Sequence, residues 1–204
     1  MSVLKNLNYG IIGNCRSAAL ISDKASIDWC CLPKFDSSSV FAKILDDEKG
    51  GGFWIETKQK YHISQTYLKN TCILRTIFRN ENHEFEVIDF MPRFIKNKGE
   101  FYAPPEIIRI VRPIKGSPEI KFKYDPRLEY AQGETKHVVK KNMIRSRVDS
   151  PKHDSLFLYT NIENIKIIQS SLHKLEETIF FNISYNEKLK TPQLSDCLLN
   201  FDRT

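Results

Sequence analysis

The distribution of apolar residues along the chain predicts a protein built from β-strands. Short runs in which apolar and polar side chains alternate recur throughout the sequence, as at residues 71–79 and again at residues 85–90, which a polar turn joins. Helical periods are almost absent from the rest of the chain. This pattern favours an all-β fold, a large antiparallel β-sandwich (a supersandwich) with one or two short helices.

Three further segments have weaker patterns, and each receives a different prediction: a helix, a strand and a linker. Residues 40–45 follow a serine-rich turn and have a short apolar period, which predicts a short helix capped by one of the serines 37–39. Residues 165–169 form an apolar run and are predicted to be a strand. Residues 189–204 are polar, irregular and contain Pro192, so they are predicted to be a linker or frayed end after a sandwich domain at residues 1–188.

The composition is that of an ordinary globular protein. The 204 residues are 41% hydrophobic and 27% charged, with a net charge of +6. The densest basic region, residues 136–147, is interpreted as a solvated strand face, with a polyanion site as the alternative. Because the other cations are dispersed, we expect no nucleic-acid partner. The chain has no secretory signal and no apolar run long enough to cross a membrane, so we expect a cytoplasmic protein without a membrane partner.

Cysteine and histidine positions argue against metal and disulfide chemistry. The five cysteines are odd in number and irregularly spaced, which favours buried, reduced thiols over a disulfide framework. The five histidines are isolated and show no metal-binding spacing. A glycine-rich phosphate loop and a nucleophile elbow are also missing from the sequence. We therefore expect no cofactor and no metal.

The densest group of unusual residues lies at residues 26–41. An extended apolar run there contains Asp28 and Trp29 and is ended by Pro33. Phe35 follows, and then a polar turn, Asp36-Ser37-Ser38. Two carboxylates can divide acid and base roles in glycoside hydrolysis, but bonding of each carboxylate to local backbone amides is the favoured interpretation.

Further side chains have two interpretations each. Aromatic residues can stack on sugars, although in a sandwich they more often fill the core. The arginines that adjoin prolines can bind phosphate or carboxylate groups, or can hold loops together. The aromatic residues are Trp29, Phe35, Trp54 and Tyr130, the arginines are Arg93 and Arg127, and Asp89 is a third candidate carboxylate.

Several motifs in order along the chain resemble one family. They are Gly10-Ile-Ile-Gly-Asn-Cys-Arg-Ser-Ala-Ala-Leu20, the segment from Ser26 to Phe41, Gly51-Gly52, Tyr67-Leu68, residues 71–76, Val87-Ile-Asp-Phe-Met-Pro92, Glu106-Ile-Ile-Arg109, Gly116 and Pro126-Arg-Leu-Glu-Tyr130. Together they resemble the opening of bacterial and archaeal glucoamylase and trehalase-like enzymes of glycoside hydrolase family 15. The chain departs from the family pattern at Cys15 and Ala25, where glycine is expected, and at Cys31 beside Cys30.

The resemblance implies a fold without catalytic machinery. In that family this segment is a β-sandwich that precedes a catalytic barrel of twelve helices, whose two glutamates act by inversion. Twelve helices need about 130 residues, and the residues after Tyr130 are too few and are predicted to be strands. We therefore expect an inactive chain with no catalytic residue, which docks on a helical barrel that acts on α-glucosides such as trehalose. The residues expected to face the barrel or the sugar are Trp29, Pro33, Phe35 and Asp36.

Other functions remain open from the sequence. The chain could be a stand-alone carbohydrate-binding or interaction module for α-glucans, with an exposed aromatic strip as its binding surface. A basic β protein that binds nucleic acid is a third, less favoured interpretation. An exposed docking face would also favour a homo-oligomer, because large apolar patches tend to find partners.

Overall fold

A computed structural model describes residues 7–96, 99–141, 143–151 and 153–204. The strands are β1 Tyr9–Gly13, β2 Ala18–Ser22, β3 Ile27–Cys31, β4 Ser39–Phe41, β5 Gly52–Thr57, β6 His62–Tyr67, β7 Leu74–Arg79, β8 Glu84–Phe90, β9 Phe94–Ile95, β10 Phe101–Tyr102, β11 Glu106–Lys115, β12 Glu119–Asp125, β13 Lys136–Lys140, β14 Met143–Arg147, β15 Ser155–Thr160, β16 Leu172–Lys174 and β17 Ile179–Tyr185. The helices are α1 Asn164–Ile168 and α2 Leu194–Arg203, with a 3-10 turn at Glu129–Ala131.

The strands form two antiparallel sheets that pack face to face. The first sheet has the order β1-β2-β3-β5-β12-β16, with β4 beside β3, and the second has the order β13-β14-β15-β17-β11-β8-β7-β6. Strands β9 and β10 form a separate two-stranded ribbon. The main core lies between the sheets, because alternate residues of facing strands point inward and are apolar. The predicted all-β sandwich with short helices is confirmed.

The second sheet is also buried on its outer face. Every residue of β17, six of the seven residues of β8 and the first six residues of β11 are buried, so both faces of this part of the sheet are covered. A second apolar cluster, which includes Phe90, Ile108 and Phe180, lies on the outer face and contains Cys197 of α2. Phe201 of α2 packs edge-on against Phe90, with ring centroids 6.0 Å apart. Helix α2 therefore forms a third layer over part of the sheet.

The segments assigned on weaker patterns differ from the structure. Residues 39–41 form strand β4 instead of starting a helix, because Phe41 pairs with Cys30 of β3. Residues 164–168 form helix α1, not a strand, and Ile167 closes the inter-sheet core. Both apolar runs are short, and such runs do not distinguish strand from helix by themselves.

The C-terminal segment is not irregular, because residues 194–203 form α2. Leu194, Cys197 and Phe201 recur at the spacing of one helix face, and Asp196 caps the helix by accepting a hydrogen bond from the Gln193 amide at 2.8 Å. The boundary that separates a domain at residues 1–188 from a linker at residues 189–204 stays a prediction.

A buried arginine joins the two sheets through the core. Arg109 of β11 donates to Asp89 of β8 through Nε at 2.7 Å and Nη2 at 3.1 Å. It also donates to the carbonyl of Phe53 in β5 at 3.0 Å and to that of Ala25, in the turn between β2 and β3 of the first sheet, at 2.8 Å. The charged pair is expensive to remove from water, and these four hydrogen bonds supply the partners that compensate it. Asp89 therefore has a structural role in this fold.

Side chains also join the sheets at one edge. The Tyr67 hydroxyl of β6 accepts a hydrogen bond from the Ile11 amide at 2.6 Å and donates to the Ile11 carbonyl at 2.9 Å. Gln65 of the same strand donates to the Ser22 carbonyl at 3.0 Å. The Tyr67 contacts occupy the backbone groups of Ile11 in β1, the edge strand of the first sheet, which would otherwise be open.

Candidate functional site

The corner between β3 and β4 projects an aromatic side chain into solvent. Its turn is closed by two hydrogen bonds, from the Lys34 amide to Ser37 Oγ and from the Ser37 amide to the Lys34 carbonyl, both at 3.1 Å. Leu32 is fully buried and anchors the start of the corner, and its peptide bond to Pro33 is cis. Phe35, at the tip, is 61% exposed. The fold thus holds a large apolar ring away from the core.

Asn14 connects this corner to two other segments. Its Oδ1 accepts hydrogen bonds from the amides of Arg16 and Ser17, each at 3.1 Å, which shapes the turn between β1 and β2. Its Nδ2 donates to the Pro104 carbonyl at 2.7 Å. The Arg16 carbonyl in turn accepts from the Phe35 amide at 3.0 Å. Three loops that are distant in sequence therefore meet at one end of the sandwich.

These loops enclose an open depression of about 610 Å³, here called the corner groove. Its lining residues are Cys15, Arg16, Pro33, Lys34, Phe35, Asp36 and Pro105. One aromatic ring, two prolines, two cations and one carboxylate can together bind a sugar face or a polar protein surface. Neither Arg16 nor Lys34 forms an ion pair with another described residue.

The structure brings together three of the four residues predicted to face a partner. Pro33, Phe35 and Asp36 line the corner groove. Trp29 does not line it, because it lies half-buried in β3, opposite Leu20 of β2.

The other aromatic candidates are also separated from the groove lining. Tyr130 donates a hydrogen bond to the Ser37 carbonyl at 3.3 Å and so supports the corner from outside. Trp54 lies under Lys43, whose ammonium group is 4.0 Å from the ring centroid. A continuous sugar-stacking platform of the four predicted aromatic residues is therefore not formed.

The candidate carboxylates occupy different environments. Asp28 is buried and accepts hydrogen bonds from the Tyr9 hydroxyl, at 3.0 Å, and from Ser26 Oγ. Burial and the neighbouring Asp28 carboxylate raise the pKa of Tyr9. Asp36 is exposed and Asp89 is paired with Arg109 in the core. Local bonding therefore accounts for Asp28 and Asp89, and these acids do not form a pair across a shared cavity.

The arginines beside prolines are held in loops. Arg127 donates to Asp125 at 3.1 Å, and its amide donates to the Val40 carbonyl at 2.9 Å, which supports the loop-holding interpretation. Arg93 stacks over Phe101 instead.

In the basic region at residues 136–147, Lys136 pairs with Asp149 at 2.7 Å on an exposed edge hairpin. This region has the solvated face that the sequence favours.

The thiols are only partly as expected. Cys30, Cys31 and Cys197 are buried and unpaired, and burial raises the pKa of each, that of Cys197 to about 12. Cys15 and Cys72 are exposed, so the prediction of buried thiols is wrong for these two.

Within the described part of the chain, His, Cys, Asp and Glu do not gather in groups of three that could hold a metal ion. None of the described helices combines the length and apolar character needed to span a membrane.

Sequence reasoning missed the groove residues that come from other loops. Cys15 and Arg16 reach the groove through the turn that Asn14 shapes, and Pro105 reaches it through the Asn14 bond to Pro104. One local signal was available. Cys15 and Ala25 have positive φ angles, 66° and 57°, at the two positions where the family pattern has glycine. These positions mark tight turns that depend on distant contacts.

Comparison with known proteins identifies the family. Residues 7–177 match the family described as trehalase-like, N-terminal. The chain belongs to this family. Trehalase from Thermoplasma volcanium is 34% identical over 180 residues, which cover 86% of this chain and 26% of that protein.

Two further relatives come from Sulfolobus acidocaldarius. Trehalase 2 is 43% identical over 86 residues, 42% of this chain and 14% of that protein. Trehalase 1 is 36% identical over 121 residues, 59% of this chain and 19% of that protein. The trehalase-like N-terminal domain described here thus spans about a quarter of the length of these relatives, or less.

Proposed function

We propose that this chain is the non-catalytic N-terminal domain of a glycoside hydrolase of the glucoamylase and trehalase type. It docks on an inverting helical-barrel catalytic domain and supports the mouth of that domain's active site. The observation that carries the proposal is the family match over residues 7–177, with relatives that are trehalases and extend well beyond the matched segment. The substrate class that follows is an α-glucoside, with trehalose as the first to be tested.

The corner groove is the surface that we assign to this contact. Phe35 is held outside the core by a closed turn, and the groove adds two cations without a described ion-pair partner. An exposed aromatic ring beside arginine is typical of protein interfaces. Pro33, Phe35 and Asp36 are therefore assigned to the barrel or the sugar, while Trp29 supports the corner through strand β3.

A chimaeric enzyme tests the proposal. In full-length Thermoplasma volcanium trehalase, the segment that matches this chain is replaced by the corresponding residues of this chain. We expect the chimaera to release glucose from trehalose, whereas the purified chain alone releases none. Phe35→Ala in the chimaera should lower activity. Ile114→Ala, which shortens an exposed apolar side chain at the other end of β11 from Pro105, serves as the control.

Two results would contradict the proposal. Glucose release by the purified chain alone would show that it is itself a hydrolase. A folded but inactive chimaera would show that the domain does not support such a barrel. Calorimetry of the isolated chain with trehalose and maltooligosaccharides separates the alternative, a carbohydrate-binding module, because a docking domain should give little heat with either sugar.

A further inference from the structure

The β9–β10 ribbon and the end of α2 form a cluster in which each cation lies over an aromatic ring. The pairs are Arg93 over Phe101 at 4.4 Å, Lys96 over Tyr102 at 4.3 Å and Arg203 over Phe94 at 5.5 Å, measured to the ring centroids. We call these six residues the ribbon face. The rings of Phe94 and Tyr102 also contact each other, with centroids 4.8 Å apart. The cations are thus held in place by side chains from two elements.

The positive charge of the ribbon face is largely uncompensated. In the described ranges, Arg93, Lys96 and Arg203 form no ion pair. A neighbouring depression of about 770 Å³ is lined by Phe94, Ile95, Lys96, Glu100 and Arg203. Glu100 is the carboxylate in that lining, and Asp202 precedes Arg203 but does not line it. The lining therefore has two cations, Lys96 and Arg203, and one carboxylate, and Arg93 adds a third cation on the ribbon face outside this lining.

Stacking prepares the two arginines for carboxylate ligands. A guanidinium group that lies on a ring uses its face for the stack and keeps its N–H edge available, and that edge matches a carboxylate. Because the side chain is already positioned, less conformational entropy is lost when a ligand binds. Each stacked guanidinium group can therefore bind a carboxylate group that lies in the guanidinium plane and meets its N–H edge.

Exposed apolar side chains between the cations favour a protein as that partner. Ile95 is 64% exposed and Phe101 is 56% exposed. Aromatic residues and arginine are enriched in protein interfaces, where apolar contact surrounds the charges. A nucleic-acid surface would need a longer basic stripe, whereas this face is small and includes Glu100.

The ribbon face lies at the same end of the sandwich as the corner groove. The segment that leaves the ribbon includes Pro104, which accepts the hydrogen bond from Asn14, and Pro105, which lines the groove. The segment that enters it follows β8, and the Arg93 amide donates to Thr204 Oγ1 at 3.4 Å. One partner surface can therefore cover both regions.

We propose that the ribbon face docks against a carboxylate-bearing surface of the catalytic part of a trehalase-type enzyme. The inference rests on the proposed function and adds the chemistry of the contact. The docked surface places acidic side chains opposite Arg93, Lys96 and Arg203 and apolar ones opposite Ile95 and Phe101. Docking of this kind is weakened by salt, because exposed charges are screened.

Charge reversal in the chimaera tests the inference. The double variant Arg93→Glu/Arg203→Glu should inactivate on heating about fivefold faster than the parent chimaera, and salt should no longer accelerate the loss. Lys24→Glu/Lys60→Glu makes the same charge change at exposed positions near the β2–β3 turn and the start of β6, at the opposite end of the sandwich. This control should behave as the parent. Arg93→Gln/Arg203→Gln provides a milder pair if the glutamates impair folding.

A second measurement uses the isolated chain and labelled poly-L-glutamate. At low salt, Arg93→Glu/Arg203→Glu should weaken binding about tenfold, while the control pair leaves it unchanged. The inference is overturned if an active chimaera is indifferent to the arginine variants, and the proposed function then still stands. An inactive parent chimaera contradicts the proposed function, and poly-L-glutamate binding that ignores the arginines then overturns the inference as well. If the chain bound duplex DNA more tightly than poly-L-glutamate, and this binding depended on the two arginines, the partner of the ribbon face would be a nucleic acid and the inference would be overturned.

Discussion

At the scale of single residues, two turns are held in a backbone conformation that suits glycine. Cys15 has φ 66° and Ala25 has φ 57°, both in the left-handed region. A side chain in this region costs about 1 kcal/mol, because Cβ approaches the following carbonyl oxygen. Cys15 is exposed, whereas Ala25 is fully buried and its carbonyl accepts a hydrogen bond from Arg109. The strain can therefore be tested most simply at Cys15.

We predict that Cys15→Gly stabilises the domain. Glycine removes the contact between Cβ and the backbone, and little buried surface is lost because the thiol is exposed. The free energy of unfolding should rise by about 1 kcal/mol, measured by urea denaturation under reducing conditions. Cys15→Ala keeps Cβ and should leave stability close to that of the parent. An equal effect of both substitutions would mean that the thiol, not the backbone, is responsible.

At the scale of elements, local patterns predict the strands well and the covering helix poorly. Strand alternation at residues 71–79 and 85–90 is visible in sequence, and these segments pair as β7 and β8. Half of the residues of helix α2 are apolar, but the helix is short and follows Pro192 and polar residues, so the sequence does not predict it. The outer face of the second sheet completes its environment. The sequence could place apolar residues on two faces of β8 and β11, but not say what covers the outer one.

The candidate site follows the same division. Pro33, Phe35 and Asp36 are neighbours in sequence, and a turn between two strands is enough to predict that they lie together. Arg16 and Pro105 join them only through hydrogen bonds made by Asn14, which links the β1–β2 turn to the segment before β11. Contacts of this long range leave no periodic signal in one sequence.

The second sheet contains a buried carboxyl group at the start of β11. Glu106 of β11 is 2% exposed and accepts a hydrogen bond from Asn182 Nδ2 at 3.1 Å. Burial raises the pKa of Glu106 to about 7, the Asn182 hydrogen bond opposes the shift, and Glu187 adds to it. Burial raises the pKa values of Tyr102, Tyr159 and Cys197, and the Glu106 charge adds to each of these shifts.

We predict that this group makes stability fall as the pH rises. The ordinary pKa of a glutamate is about 4.3 in an unfolded chain. Between that value and about 7, the folded state holds a proton that the unfolded state has lost. The free energy of unfolding therefore decreases across this window, by about 4 kcal/mol in total, and becomes level above it.

Comparison with Glu106→Gln isolates the effect from other groups, such as Asp89, whose pKa burial also raises. The glutamine variant and the parent should have similar stability near pH 4, and the variant should be the more stable one near pH 8. Urea denaturation at a series of pH values measures the difference. Glu48→Gln, which removes one exposed carboxyl group, controls for the change in net charge. Parallel curves for the parent and Glu106→Gln would contradict the prediction.

At the scale of the whole molecule, the domain is two packed sheets with a partial third layer. The main core between the sheets is continuous from β1 to β17, and Arg109 and Tyr67 add polar links between the layers. The second cluster depends on residues 189–204, because Leu189, Leu194, Cys197 and Phe201 pack against Phe90 and its neighbours. The same C-terminal residues carry Arg203 of the ribbon face. Helix α2 thus both covers the outer face of the second sheet and contributes a cation to the ribbon face.

The prediction at this scale concerns a chain that ends at residue 188. If residues 189–204 were only a linker, their removal would change neither stability nor association. Because Cys197 is fully buried and Phe201 packs on Phe90, we expect the shortened chain to expose apolar surface on β8, β11 and β17. Such a surface promotes self-association. Light scattering should therefore show oligomers or aggregates, and a dye that binds apolar surfaces should fluoresce more strongly than with the full chain.

Two point variants in the full chain test whether the contact between α2 and the sheet, and not the length of the chain, stabilises the domain. Phe201→Ala removes a ring from the contact with Phe90 and should lower the free energy of unfolding by about 1–3 kcal/mol, since the ring is only partly buried. Asp202→Ala changes the adjacent exposed position and should have little effect. The linker interpretation would be supported by two results together: a shortened chain that stays monomeric and as stable as the parent, and a Phe201→Ala variant whose free energy of unfolding is unchanged. The ribbon face would then rest on β9 and β10 alone, since a freely moving α2 could not hold Arg203 over Phe94.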